Sequence, residues 1–207
     1  MSANLMSLAS SGGKFLKLFG DRKMMKQLPY DAEVEWIDFN GGAGVDTGIV
    51  PTLTTITNIN CCYNDNGDAT STMFAADDLG YVLRRVNKNL LAYSGGEWWN
   101  SSNVDFSVFA NYSIRQDGVY KDGLNIIKNK LSKDQTQSLT IGIRRSQPSQ
   151  VGGLRVKAFS MSDNNETLRD YTLVRVGSVG YFYDKVSKQL FGNSFSGDLV
   201  IGPDKTI

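Results

Sequence analysis

Two adjacent tryptophans, Trp98 and Trp99, occupy the part of the sequence best suited to binding a sugar. Neighbouring residues on a β-strand point to opposite faces, so we expect one indole in the core and the other facing outward. An outward indole can stack on a sugar ring while Glu97 and Asn100 hydrogen-bond to its hydroxyls. The possible glycan contacts are therefore Trp98, Trp99 and Asn100. Two alternatives remain open, namely burial of both rings and contact with another protein subunit.

Three acidic residues near the N-terminus, Glu33, Glu35 and Asp38, lie in the segment EVEWID. Glycoside hydrolysis needs two carboxylates facing each other across a sugar in unlike environments. On one strand Glu33 and Glu35 share a face, while Asp38 points to the other. We therefore expect a solvated strand face here and predict no catalytic residue.

The chain contains no histidine, which removes the commonest general base and the commonest metal ligand. The only two cysteines, Cys61 and Cys62, are adjacent, so on a strand one thiol is expected inside and one outside, without a disulfide. The cluster Asp65, Asn66 and Asp68 lacks the ligand spacing of a calcium loop and predicts a turn. Together these features predict a protein that is not an enzyme and needs no cofactor or metal.

Residues 1–29 differ from the rest of the chain in charge, because five cations oppose one acid and give a net charge of +4. Phe15, Leu16 and Phe19 have the spacing of one face of a short helix, and Pro29 ends the segment. This N-terminal arm could be disordered, or it could dock on its own domain, on an acidic protein surface in an assembly, or on a membrane. We favour the assembly over the membrane, and the predicted anchor residues are Lys14, Phe15, Leu16, Lys17, Phe19, Arg22, Lys23 and Lys26.

From Tyr30 onward polar and apolar residues alternate with the period of half-buried strands, and turns separate the strands. Ten or more short strands predict an all-β, antiparallel sandwich over residues 30–207. The sequence of residues 121–133 indicates a helix or an irregular loop. Arg144 and Arg145 are expected in a solvated loop. The main predicted strands cover residues 33–37, 52–59, 105–110, 139–143, 155–161, 168–176, 179–184, 190–191 and 199–201.

Both ends of this β region resemble a known family. Residues 28–52 read LPYDAEVEWIDFNGGAGVDTGIVPT, and residues 154–204 include the step GYFYDKV followed by the turn LFGN. These segments resemble the concanavalin A-like lectin/glucanase jelly rolls that are common among small proteins of phages infecting gut Bacteroidetes. The resemblance covers residues 28–57 and 139–204, and it implies a jelly-roll fold.

The resemblance also implies a role as a virion component or an adhesin-like module. With the basic arm, it leads us to expect a non-enzymatic capsid decoration or head-fibre component, made in the bacterial host cytoplasm and carried on the virion. The alternative is a lectin-like module that binds host or mucin glycans, and a glucanase-like hydrolase comes last. The expected partners are capsid or other virion proteins, glycans and further copies of the chain. We expect neither nucleic acid nor a membrane as a partner, and the net charge of +1 gives no overall attraction to nucleic acid.

Overall fold

The computed structural model describes residues 28–64, 70–76, 80–94, 96–128, 130–147 and 153–206, and these residues form strands and no helix. The predicted all-β class is therefore confirmed. The strands are β1 (Ala32–Glu33), β2 (Ile37–Asn40), β3 (Val45–Asp46), β4 (Thr55–Tyr63), β5 (Thr70–Ala76), β6 (Tyr81–Val86), β7 (Asn89–Ser94), β8 (Glu97–Ser101), β9 (Ala110–Arg115), β10 (Gly118–Lys121), β11 (Leu124–Ile127), β12 (Thr140–Ile141), β13 (Leu154–Asp163), β14 (Glu166–Val176), β15 (Val179–Asp184), β16 (Leu190–Phe191) and β17 (Asp198–Ile201).

An eleven-stranded antiparallel sheet has the main order β11-β10-β9-β4-β13-β14-β15-β16. The long strand β13 pairs along its whole length with β4 on one side. On its other side it pairs first with β2 and then with β14, so the sheet forks. Val156, Phe159 and Met161 point from β13 into the core, and a bulge between Val156 and Ala158 keeps both halves of the strand in register with the core.

A second antiparallel sheet of six strands has the order β3-β12-β5-β6-β7-β8 and packs on the first. Phe74 of β5 meets Phe159 of β13 edge to face, with ring centroids 6.2 Å apart. The buried hydroxyl of Tyr81 donates a hydrogen bond to the carbonyl of Thr55 at 3.1 Å and is hydrogen-bonded to the Thr57 hydroxyl at 3.0 Å. The two sheets therefore form a sandwich, and the hydrogen bonds of Tyr81 join its two layers.

Strands from the two ends of the described chain lie together. β2 pairs with β17, β1 pairs with β14, and Val34 forms an isolated bridge with Asp204. Arg175 of β14 adds a bidentate ion pair with Asp204, with both distances 2.7 Å. The first and last strands thus complete the same region of the large sheet.

Two local predictions are wrong. For the segment 121–133 we predicted a helix or an irregular loop, but it holds strand β11, because Asp122 and Gly123, with φ of 48° and 83°, turn the chain back onto β10. After β11, the described residues 128 and 130–133 are irregular, as the second alternative predicted. The predicted strand at 105–110 begins only at Ala110. Before it, Phe106 is buried and the Asp105 carboxylate accepts hydrogen bonds from Ser107, which holds a loop.

The predicted outward thiol is also wrong, since Cys61 is fully buried and Cys62 is only 6% exposed. Cys62 faces away from the main core, but Arg155 is its direct neighbour across the β4–β13 pair. Burial raises the pKa of both thiols, which are free. The predicted turn at residues 64–68 and the anchor residues between 14 and 26 lie outside the described residues, apart from Asn64.

Candidate functional site

A cleft of about 580 Å³ opens where the edge strand β8 of the small sheet approaches the edge strand β11 of the large one. Edge strands leave their outer side unpaired, so side chains from both layers can meet around a space there. The cleft is lined by Ser94, Glu97, Trp99, Asp117, Lys128, Lys130 and Ser132.

The inner wall of the cleft is formed by Trp99 and Ser94. Trp99 is 9% exposed, and its indole nitrogen Nε1 is buried without a hydrogen-bond partner among the described residues. The Ser94 hydroxyl accepts a hydrogen bond from the Ser132 N–H at 3.2 Å. The Leu131 N–H donates to the carbonyl of Gln116 at 3.0 Å, so residues 131–132 are tied to both sheets beside the cleft. A buried donor without an acceptor costs free energy, and a ligand oxygen beside this wall could accept its hydrogen bond.

The outer wall of the cleft carries two acids and two lysines. Within the described part of the chain, the exposed side chains of Glu97, Lys128 and Lys130 make no hydrogen bond or ion pair. The Asp117 carboxylate accepts a hydrogen bond from the Tyr120 hydroxyl at 2.6 Å. Three of the four charged groups around the cleft therefore have no partner among the residues that the structure describes.

The other tryptophan, Trp98, lies on the opposite face of β8 and is 42% exposed, as strand alternation predicts. The guanidinium carbon of Arg84 lies 4.0 Å from the indole centroid, and the Tyr93 ring centroid lies 4.7 Å away. Burial, and then Arg144 nearby, lower the pKa of Arg84. A sugar that stacked on the indole face under Arg84 would have to displace the guanidinium.

The three predicted glycan contacts consequently do not form one site. Trp98 and the exposed Asn100 share the outer face of the small sheet, whereas Trp99 faces the cleft. Sequence reasoning missed Lys128, Lys130 and Asp117, because it assigned no strand between residues 121 and 133. The signal that could have placed them was the Asp122–Gly123 pair, which favours a hairpin turn.

The acidic residues of EVEWID also separate in the structure. Glu33 pairs with Lys205 at 3.2 Å, and Glu35 is exposed. Asp38 is only 5% exposed, contrary to the expected solvated face, and both of its oxygens bind the Arg155 guanidinium, at 2.7 and 2.8 Å. Arg155 also lies over the Trp36 ring, with its guanidinium carbon 3.7 Å from the centroid.

The basic loop at Arg144 and Arg145 is less solvated than expected. Arg145 forms an ion pair with Asp46 at 2.6 Å and donates a hydrogen bond to the Ser138 hydroxyl at 2.8 Å. Its hydrogen bonds join strand β3 to the segment after β12. Arg145 therefore has a structural position and does not form a free cationic surface.

Among the described residues, no group of three or more Cys, Asp and Glu side chains could hold a metal ion. That same part of the chain contains no helix long and apolar enough to cross a membrane. The structure defines an all-β protein with two antiparallel sheets packed as a sandwich. No protein-family model matches the sequence, and no curated protein matches it.

Proposed function

We propose that this chain is a non-enzymatic phage virion protein, a capsid decoration or head-fibre component with a concanavalin A-like jelly-roll sandwich. Its basic N-terminal arm attaches the sandwich to capsid or other virion proteins. The observation that carries the proposal is the division of charge along the chain. Residues 1–29 carry +4 and the whole chain +1, so residues 30–207 carry −3. A cationic, partly apolar arm on a mildly acidic body suits attachment to an acidic protein surface.

The point where the arm joins the sandwich supports this role. The Asp31 N–H donates to the Arg175 carbonyl at 2.9 Å, and the rings of Tyr30 and Tyr183 lie 5.1 Å apart. The arm thus joins the sandwich beside β14 and β15, whereas the cleft is next to β11 at the far end of the large sheet. Five strand spacings between β11 and β14 amount to about 24 Å. An attached sandwich would present the cleft away from the attachment point.

The contacts of the N-terminal acids support a non-enzymatic role. Glycoside hydrolysis needs a pair of carboxylates free to act as acid and base or nucleophile. Asp38 binds Arg155 through both oxygens, and Glu33 pairs with Lys205. A reducing-sugar assay on mixed β-glucans should therefore give no activity, and release of sugar above the background would overturn this part of the proposal.

Co-sedimentation of the protein with phage particles tests the attachment. The full chain with Lys14, Lys17, Arg22, Lys23 and Lys26 changed to Gln should no longer sediment with particles, and a chain starting at residue 28 should behave alike. Both should keep the thermal unfolding midpoint of the wild type. The control replaces five lysines of the sandwich with Gln, namely the exposed Lys88, Lys133, Lys157 and Lys188 and the half-buried Lys121. Normal sedimentation of the arm variant, or equal loss in the control, would overturn the arm's role.

Saccharide binding is a second candidate function, and the cleft favours it. Its lining combines hydroxyls, carboxylates, ammonium groups and one indole, which are the groups that bind sugar hydroxyls and rings. Trp99→Phe keeps an aromatic wall but removes the N–H, and Glu97→Gln removes a free carboxylate. On a glycan array both variants should lose signal that Asn100→Ala, on the other face of β8, retains. Equal loss from Asn100→Ala, or no binding by the wild type, would contradict a saccharide site in the cleft.

A further inference from the structure

We infer that the cleft between β8 and β11 binds a saccharide unit that carries one carboxylate or sulfate group, with Lys128 and Lys130 holding the anion. The inference rests on the proposed saccharide binding and adds the chemical class of the ligand. It goes beyond the sequence, which pointed to Trp98, Trp99 and Asn100 and to neither lysine.

The two lysines are the first argument. Both line the same cleft, and in the described part of the chain neither ammonium has an acidic partner. Lysines elsewhere on the sandwich do pair, as Lys185 does with Asp170 at 3.1 Å and Lys205 with Glu33 at 3.2 Å. Two like charges beside one cleft repel each other, and a bound anion would relieve that repulsion. An anionic group on the ligand therefore fits this wall best.

The acids of the cleft limit how much negative charge the ligand can carry. Glu97 and Asp117 lie around the same space and would repel a second anionic group. Their oxygens can instead accept hydrogen bonds from neutral hydroxyls, which a sugar supplies in number. The cleft thus favours one anion surrounded by hydroxyls over a polyanion such as a nucleic acid.

The indole of Trp99 is the second, independent argument. Its N–H is buried and has no acceptor among the described residues, so binding a ligand oxygen beside this wall would satisfy a donor that folding leaves unpaired. The Ser94 hydroxyl on the same wall already accepts a hydrogen bond, and its own proton is available to donate. Both groups require an oxygen acceptor, which carboxylate, sulfate and hydroxyl groups all provide.

The size of the cleft sets the length of the ligand. Ligand sites of about 300–1,000 Å³ enclose molecules of drug size. The cleft volume of about 580 Å³ lies within that range and suits one or two sugar units. We therefore place the acidic sugar inside the cleft and the rest of a longer glycan outside it.

Calorimetric titration of the full chain with matched monosaccharides tests the inference. The probes are methyl glucuronide, glucose 6-sulfate, methyl glucoside and inorganic sulfate. We expect the two acidic sugars to bind at least about tenfold more tightly than methyl glucoside, and their affinity to fall when salt rises from about 0.05 to about 0.5 M. Inorganic sulfate should bind more weakly than either, because it has no hydroxyl groups that could donate hydrogen bonds to Glu97 and Asp117.

Variants then assign the effect to the cleft. The double change Lys128→Gln and Lys130→Gln should weaken the acidic sugars at least about tenfold and leave methyl glucoside unchanged, with no loss of thermal stability since both side chains are exposed. Lys133→Gln removes the same charge from an exposed residue outside the cleft lining and should have no effect.

Each contrary outcome would overturn a different part of the inference. Equal affinity for acidic and neutral sugars, unchanged in the double variant, would overturn the anionic class and leave saccharide binding intact. If Lys133→Gln weakened the acidic sugars as much as the double variant, the anion would not be held in the cleft. Sulfate binding as tight as the acidic sugars would overturn the saccharide part. Failure of every sugar to bind, alone and on the glycan array, would overturn both the inference and the second candidate function.

Discussion

Single residues carry much of the stability of this sandwich, and Asp38 is the clearest case. Its side chain is buried and accepts three hydrogen bonds, two from Arg155 and one from Asn64 at 3.2 Å. Removal of one partner from a buried ion pair leaves the other without its counter-charge. The sequence showed the acid but not its partner, because Arg155 lies more than a hundred residues away.

We predict that Asp38→Ala lowers the free energy of unfolding by about 2–3 kcal/mol, somewhat below the usual cost of breaking a buried pair because Arg155 retains some contact with solvent. Urea denaturation measures the change. Asp204→Ala breaks a bidentate pair with Arg175 of similar geometry at the surface and should have a much smaller effect. Equal losses in the two variants would show that burial does not set the cost.

Asp184 predicts how the stability depends on pH. Burial alone would raise its pKa, but hydrogen bonds from the backbone N–H groups of Asp170, Ser187 and Val186 and from the Ser187 hydroxyl outweigh burial and lower it. A carboxyl whose pKa is lower in the folded state stabilises the fold above its unfolded pKa of about 3.9. That stabilisation is lost as the pH falls through the folded pKa.

Asp184→Asn should therefore reduce the free energy of unfolding by about 2 kcal/mol at pH 7, since the amide cannot accept all four hydrogen bonds. The difference from the wild type should shrink below about pH 4, where the Asp184 carboxyl of the unfolded chain takes up a proton while that of the folded chain is still charged. Urea denaturation between pH 3 and 7 measures both values. The exposed Asp170→Asn is the control and should change the stability little. A difference that stayed constant with pH would contradict the role of the carboxylate charge.

The residues of the candidate site could be predicted only in part. Strand alternation correctly predicted one tryptophan outward and one inward, but it did not indicate that Trp98 is the outward one. It could not show that Arg84 lies over Trp98, nor that Lys128 and Lys130 lie beside Trp99, because these neighbours come from other strands. The side of β8 that lines the cleft, where we propose ligand binding, is therefore opposite to the side that exposure alone would favour.

At the level of elements, close contact between the sheets depends on Gly142, which follows β12. Its φ is +81°, and a Cβ there would lie 2.2 Å from the ring of the fully buried Phe39. Gly123 has nearly the same φ, +83°, but no atom lies within 4 Å of its Cβ position. Comparison of alanine substitutions at the two glycines therefore separates the free-energy cost of backbone strain from that of a steric clash.

Gly123→Ala should lower the free energy of unfolding by about 1 kcal/mol, which is the cost of a left-handed backbone for a residue with a Cβ. Gly142→Ala should lose about 3 kcal/mol, because overpacking against Phe39 adds about 2 kcal/mol to that strain. Chemical denaturation of the two variants measures the difference. Equal losses would mean that Phe39 moves aside without cost.

The strands were predictable where polar and apolar residues alternate over a long stretch and where turn-forming residues bound that stretch. The bounds predicted for β15 coincide with those observed, Val179–Asp184. The strand predicted at residues 105–110 failed because Asp105 hydrogen-bonds to the backbone two residues on, which favours a turn over a sheet ladder. Pairing partners were beyond prediction, since nothing local in β13 indicates that it faces β2 at one end and β14 at the other.

At the scale of the whole molecule, the buried thiols should report global unfolding. Burial raises the pKa of Cys61 and Cys62, and only thiolates react readily with disulfide reagents. In native buffer at pH 8 we expect neither thiol to react within the time in which both react in denaturant. Labelling with a chromogenic disulfide measures this, and Cys61→Ser, which leaves only Cys62 near Arg155, should react sooner than Cys62→Ser. Immediate labelling of the native wild type would contradict the burial of both.

The pairing of β2 with β17 has a consequence for synthesis. Ile37 lies opposite Ile201, and β2 is paired on its other side with β13. A ribosome therefore releases the first half of the large sheet long before the strands that complete it exist. Until β17 emerges, the edge of β2 stays open to neighbouring nascent chains, so we expect the yield of native protein to fall sharply when translation outpaces chaperone capacity.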